Sequence, residues 1–226
     1  MISKMPRWIW IGAPGLAFVA GTVNAVGFLG LAHQGISHLT GTTTLFGIAL
    51  ARHDFTEALH LLTVILAFVL GAALSGFIIQ DSTLRLGRRY GVALLLESLI
   101  LLVALFFLRK QNVVGDYFAS TACGLQNAMV STYSGATLRT THVSGVLTDV
   151  GIFFGHLIRR LPVDWRRFRL WLVLAGAFSL GGFAGGLLFF RFSYDTLIFP
   201  AALTGLAGVA YSVYHHRLKA EHRQPH

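Results

Sequence analysis

The chain has 226 residues, 54% of them hydrophobic and only 12% charged, with a net charge of +9. A soluble domain of this size carries about twice that charge fraction, so the composition excludes an ordinary soluble domain and points to an all-α polytopic membrane protein. The basic excess does not point to nucleic acid, because the arginines lie in loops between apolar stretches, where basic residues act as topology signals facing anionic lipid.

A first crossing is predicted over residues 8–32. Lys4 and Arg7 precede it, and Trp8 and Trp10 suit an aromatic belt at its start. The apolar run is long and no small-x-small site ends it, so it reads as an uncleaved crossing rather than a signal peptide. Pro14 falls early in it, and Gly21, Asn24, Gly27 and Gly30 give it a face of little bulk. After the turn signal His33-Gln34-Gly35, a short element over 37–51 opens with Ser-His-Leu-Thr-Gly-Thr-Thr-Thr. That opening is too polar for lipid, and the apolar remainder is too short to span, so the element reads as buried or re-entrant.

Residues 59–79 form a further predicted crossing, with Gly71/Ser75 and Ala72/Gly76 at small-xxx-small spacing. A basic loop over 81–90 carries Arg85, Arg88 and Arg89, and an apolar run over 92–108 is interrupted by Glu97. The second half repeats the order. It has a long element over 113–137, a short one over 140–158 that contains Asp149, and a basic loop with Arg159, Arg160, Arg166, Arg167 and Arg169. A Gly-rich crossing over 170–190 and a last crossing over 196–214 follow, then a polar tail from His215.

The halves share residues as well as order. Gly21, Asn24 and Ala25 recur as Gly124, Asn127 and Ala128; His38, Gly41 and Gly47 recur as His142, Gly145 and Gly151; Phe68, Gly71 and Gly76 recur as Phe178, Gly181 and Gly186. We read two homologous units, 8–110 and 111–215, followed by a basic tail over 216–226. If the short elements do not span, each unit crosses three times and the second is inverted; if they do span, the units are parallel. With the N-terminus cytoplasmic, six crossings divide the basic residues 14 to 4 in favour of the inside and eight crossings divide them 13 to 5. The positive-inside rule thus slightly prefers six.

The candidate site is the duplicated set Asn24, His38, Thr40, Gly41, Thr42, Asn127, His142, Ser144 and Gly145. At the start of a short helix, hydroxyls and imidazoles surround unpaired backbone N–H groups carrying partial positive charge. Two such starts meeting in mid-membrane would suit a small polar solute or anion. The plainer use of the same residues is that Ser and Thr cap the helices, the histidines bond nearby carbonyls, and the asparagines tie helices together. Glu97 and Asp149 are intramembrane carboxylates that should face the interior, and they are candidates for proton coupling; a pair with Arg139 is the plainer reading of Asp149.

No cofactor or metal is implied. A single cysteine, Cys123, excludes an internal disulfide and reads as a small buried hydrophobe. His-Glu-x-x-His, phosphate-loop and nucleophile-elbow frames are absent from the sequence, which argues against an enzyme. Two functions remain: a small-solute transporter or channel, or a membrane interaction and assembly protein whose basic loop and Gly-rich crossings bind a partner or anionic lipid. Partners beyond the bilayer and the solute include a second copy of the chain, since nothing in the sequence fixes the oligomeric state.

Gly21-x-x-Asn24-Ala25 with His38-Leu-Thr40-Gly41, and Gly124-Leu-Gln-Asn127-Ala128 with Thr140-Thr141-His142-Val-Ser144-Gly145, resemble the YoaK family (domain of unknown function 1275), small bacterial inner-membrane proteins. The resemblance runs from about Gly12 to Tyr211. It implies a multi-pass helical protein of the bacterial inner (cytoplasmic) membrane and leaves the activity open. Family members often have Asp in place of Asn24 and Asn in place of Thr42, so no role for an acidic group at position 24 carries over.

Overall fold

Inside a bilayer a backbone finds no water, so a long apolar run satisfies its N–H and C=O groups by forming helix. A computed structural model describes residues 9–31, 33–79, 89–134 and 140–221, and among these the regular structure is entirely helical. Six long helices are α1 (Ile9–Leu29), α3 (Phe55–Ile78), α4 (Arg89–Arg109), α5 (Val114–Ser134), α7 (Trp165–Phe192) and α8 (Ile198–Glu221). Two short ones are α2 (Leu39–Ala51) and α6 (Val143–Ile158), and a 3₁₀ turn, Ser193–Leu197, joins α7 to α8. Lys4, Arg7 and Trp8, Arg85 and Arg88 of the basic loop, and Arg139 lie outside the described residues.

Several boundaries differ from expectation for local reasons. α3 begins at Phe55 rather than Leu59 because the Asp54 carboxylate accepts the Glu57 N–H at 3.0 Å. α7 begins at Trp165 because Asp164 accepts the N–H groups of Arg166 and Arg167 at 2.9 and 3.1 Å. Arg166, Arg167 and Arg169 are therefore in the first turns of a helix, not in a loop. α8 runs on to Glu221, into the polar tail expected from His215. Pro14 sits in the second turn of α1 without ending it.

Four stretches are long and apolar enough to cross a membrane: 10–29, 55–78, 89–109 and 165–214, the last containing α7 and most of α8. α5, also expected to cross, has the length but carries Asp116, Ser120, Thr121 and Gln126. All four are buried, so this polar helix is enclosed by protein.

Glycine sets the packing. α1 lies on α7 and α3 on α5, while α4 packs against both α5 and α8. A Cβ on Gly21 would collide with the Phe178 carbonyl, and one on Gly181 with the Phe18 carbonyl; on the other side, Gly124 abuts the Phe68 carbonyl and Gly71 the Thr121 carbonyl. Each pair of helices thus touches backbone to backbone. The close approach also brings hydroxyls to carbonyls across it: Thr22 donates to Gly181 O at 3.1 Å, and Ser120 to Val64 O at 2.9 Å.

The two ends of the bundle are identified by their contacts. At one end, the Leu31 N–H donates to the Tyr194 hydroxyl at 2.8 Å, and Arg109 pairs with Asp195. This end gathers the finish of α1, α4 and α7. At the other end, Arg166 of α7 lies over Trp10 of α1, and Gly91 of α4 abuts Ser212 of α8.

The short helices fold back along their successors. Ala49 and Phe46 of α2 pack with Ala58 and Leu61 of α3, and Phe153 of α6 stacks on Phe168 of α7 with centroids 4.3 Å apart. Carrying these antiparallel registers on puts the start of α2 level with the middle of α3, and the start of α6 level with the middle of α7. Both hairpins turn alike. Arg52, His53 and Asp54 donate to the carbonyls of Ile48, Leu50 and Ala49; Arg159, Arg160 and Leu161 donate to those of Gly155, Leu157 and His156. His53 and Arg160 hold the left-handed position, with φ of 59° and 56°. At 13 and 16 residues, α2 and α6 are about 20 and 24 Å long, short of a ~30 Å hydrocarbon core.

Candidate functional site

The starts of α2 and α6 are built on the same backbone. His38 precedes α2 with φ −98° and ψ 63°, and His142 precedes α6 with φ −92° and ψ 60°. The expected Ser and Thr caps are not used: histidine holds both cap positions, and neither imidazole makes a capping hydrogen bond. Each ring instead lies over its own first turn. A methyl group at position 41 would meet His38 Nδ1 at 3.5 Å, and one at position 145 would run into the His142 ring. Gly41 and Gly145 leave room for the imidazoles. His38, Thr40, His142 and Ser144 are exposed, whereas Thr42 is buried, its hydroxyl 3.5 Å from Gly35 O and 3.4 Å from His38 O.

The loop that brings the chain to α2 is tied to α1. Buried Asn24 accepts from the Ser37 N–H at 3.1 Å and from the Ser37 hydroxyl at 3.2 Å through one oxygen, Oδ1. Gly27, one turn on, abuts Ile36 and Gln34 O, so the loop lies flat on the helix. The start of α6 is held differently. Gln126 Nε2 donates to Leu16 O of α1 at 2.7 Å and to Thr140 Oγ1 at 3.2 Å. Asn127, which the sequence pattern aligns with Asn24, has a buried Oδ1 with no partner among the described residues.

The predicted residues therefore gather as two clusters. α2 rests mainly on α3 and α6 mainly on α7. The links toward the centre run through α1 and α5, which touch each other and are bridged by Gln126. Glu97 is sealed in the core, with Oε2 unpartnered among the described residues. Asp149 is half-buried, four residues beyond Gly145 on α6; its expected partner Arg139 lies outside the described residues. Among the described residues no three His, Cys, Asp or Glu side chains gather as metal ligands, and Cys123 is buried.

A cavity that the sequence did not suggest opens where α1 ends and α3 and α5 begin. It holds about 700 Å³ and is bounded by Leu31, Phe55, Glu57, His60, Val113 and Tyr117. Behind it Gln34 Nε2 lies 2.9 Å from His60 Nε2, and His60 Nδ1 lies 3.1 Å from the Tyr117 hydroxyl. In the sequence Gln34 stands only as part of a turn signal.

A family model described as "Protein of unknown function (DUF1275)" matches residues 13–210. The chain belongs to this family. No curated protein and no solved structure matches it. In this DUF1275 protein the matched stretch contains all the residues of both helix starts, their ties and the cavity. In the sequence Gln126 is masked by the adjacent Asn127, which matches Asn24. Its signal was a second amide on a helix already too polar for lipid.

Proposed function

We propose that this DUF1275 protein passes a small polar solute or anion across a bilayer along a route lined by the starts of α2 and α6. The observation that carries this reading is the pair of half-length helices, each opening on a histidine in nearly the same backbone geometry. Their closing turns lie at opposite ends of the bundle: α2 hands over to α3 beside Leu31, and α6 hands over to α7 beside Trp10. Helix starts left in mid-membrane offer unpaired N–H groups and partial positive charge to a solute, as discontinuous helices do in transporters.

On this reading α2 and α6 enter and return, the chain crosses six times, and residues 8–110 and 111–215 are inverted units. The charge balance then favours a cytoplasmic N-terminus, and the family resemblance implies a bacterial inner membrane. The exposed faces around His38, Thr40, His142 and Ser144 would stand at bilayer depth, where lipid satisfies polar groups poorly. Water in the route, or a second copy of the chain, covers them. Of the two carboxylates, Asp149 is the better proton-coupling candidate, because i,i+4 spacing puts it on the same helix face as Gly145, whereas Glu97 is closed off.

Flux into liposomes is the test. His38→Ala with His142→Ala is expected to lower it while the protein stays folded; unchanged flux removes both histidines from the route. The competing reading, a membrane assembly protein without transport, is favoured by the exposed Arg159, Arg160 and Arg169. A stoichiometric partner captured by crosslinking in cells, with no solute moved, would support it.

A further inference from the structure

We propose that the cavity between α1, α3 and α5 binds a small organic cation, an amine carrying an apolar group. The inference is independent of transport: such a ligand can sit here whether or not the chain moves a solute. The cavity's about 700 Å³ suits a compact ligand. Its walls divide by chemistry. Leu31, Phe55, Leu59 and Val113 are apolar, and Glu57 is the only charged side chain among the described lining residues. A carboxylate on the wall attracts an ammonium group and repels an anion, and the faces of Phe55 and Tyr117 add attraction for a cation.

The polar wall is organised from behind. An amide nitrogen can only donate, so in the arrangement with Gln34 Nε2 facing His60, His60 Nε2 accepts and Nδ1 carries the proton. Nδ1–H then donates to the Tyr117 oxygen, and the hydroxyl proton turns away from His60. Tyr117 is thereby fixed in place and keeps a lone pair for an N–H of the ligand. Gln34 is 4% exposed and its Oε1 has no partner among the described residues, so a polar group has been buried to hold this wall.

The test uses the full chain in detergent, titrated with phenethylamine and with phenylpropionate, which matches it in shape and has the opposite charge. Saturable binding of the amine is expected, weakened about fivefold by Glu57→Gln and abolished by Leu59→Trp, which fills the space. Both positions are exposed, so the variants are expected to keep the melting temperature of the unliganded protein. Three results overturn the proposal: no saturable amine binding, equal or tighter binding of phenylpropionate, or amine binding that survives Leu59→Trp.

Discussion

At the start of α2 the tie is a short amide, Asn24, gripping the loop residue Ser37 through its N–H and its hydroxyl. At the start of α6 it is a longer amide, Gln126, gripping the hydroxyl of Thr140 and reaching on to a carbonyl of α1. Under the proposed repeat, Gln126 and Thr140 correspond to Val23 and Ile36, both almost fully buried apolar residues. The polar tie has thus moved by one residue along both partners, while the backbone that it holds has stayed the same. The half-helix start is the thing preserved, and the side chains that secure it are exchangeable.

The harshest way to break the comparison is to push apart the helices that carry the two ties. Gly21→Leu and Gly124→Leu each drive a side chain into a neighbouring backbone carbonyl. Each is expected to cost about 3 kcal/mol or more, read as a collapse of the melting temperature in detergent.

Removing the ties themselves sharpens it. Asn24→Leu leaves the buried Ser37 N–H and hydroxyl unpaired and is expected to cost about 1–3 kcal/mol. Asn127→Leu, which removes an amide oxygen that has no partner among the described residues, is expected to cost less than Asn24→Leu in the same denaturation measurement. A larger loss at 127 than at 24 would mean that the second half uses Asn127 for something that the described contacts do not include.

The histidines come next. Both are exposed and neither makes a capping bond, so His38→Ala and His142→Ala are each expected to change stability by no more than about 0.5 kcal/mol. A large thermal shift from either would make it a structural residue rather than a lining one. The mildest change is Gly47→Ala on the outer face of α2, where a Cβ would meet nothing within 4 Å. In a single chain it is expected to stabilise by about 0.5–1 kcal/mol through helix propensity. A loss of stability or of oligomer in sedimentation would show that a second copy lies against this face.

Much of the fold was legible because hydrophobic length alone decides where helices run in a membrane. The short elements were also legible, since eight residues from Ser37 to Thr44 contain six that are polar hydroxyl or imidazole residues. Helix starts were read late where Asp54 and Asp164 act as caps, because the neighbouring Arg and His residues looked like loop. The pairing of α1 with α7 and of α3 with α5 could not be read: the glycines announce close approach without naming the partner. The cavity was invisible for a related reason. Gln34, Glu57, His60 and Tyr117 come from three separate segments, and each looks ordinary in its own.

The central claim is that α2 and α6 enter the membrane from opposite sides and return. Cysteine placed at the closing turns, as Arg52→Cys and Arg159→Cys, can be challenged with a membrane-impermeant maleimide in intact cells and in inverted vesicles, with buried Cys123 giving little background. The account predicts that Arg52→Cys reacts only from outside and Arg159→Cys only from inside. Reaction of both from the same side would mean that the short helices cross, and would contradict it.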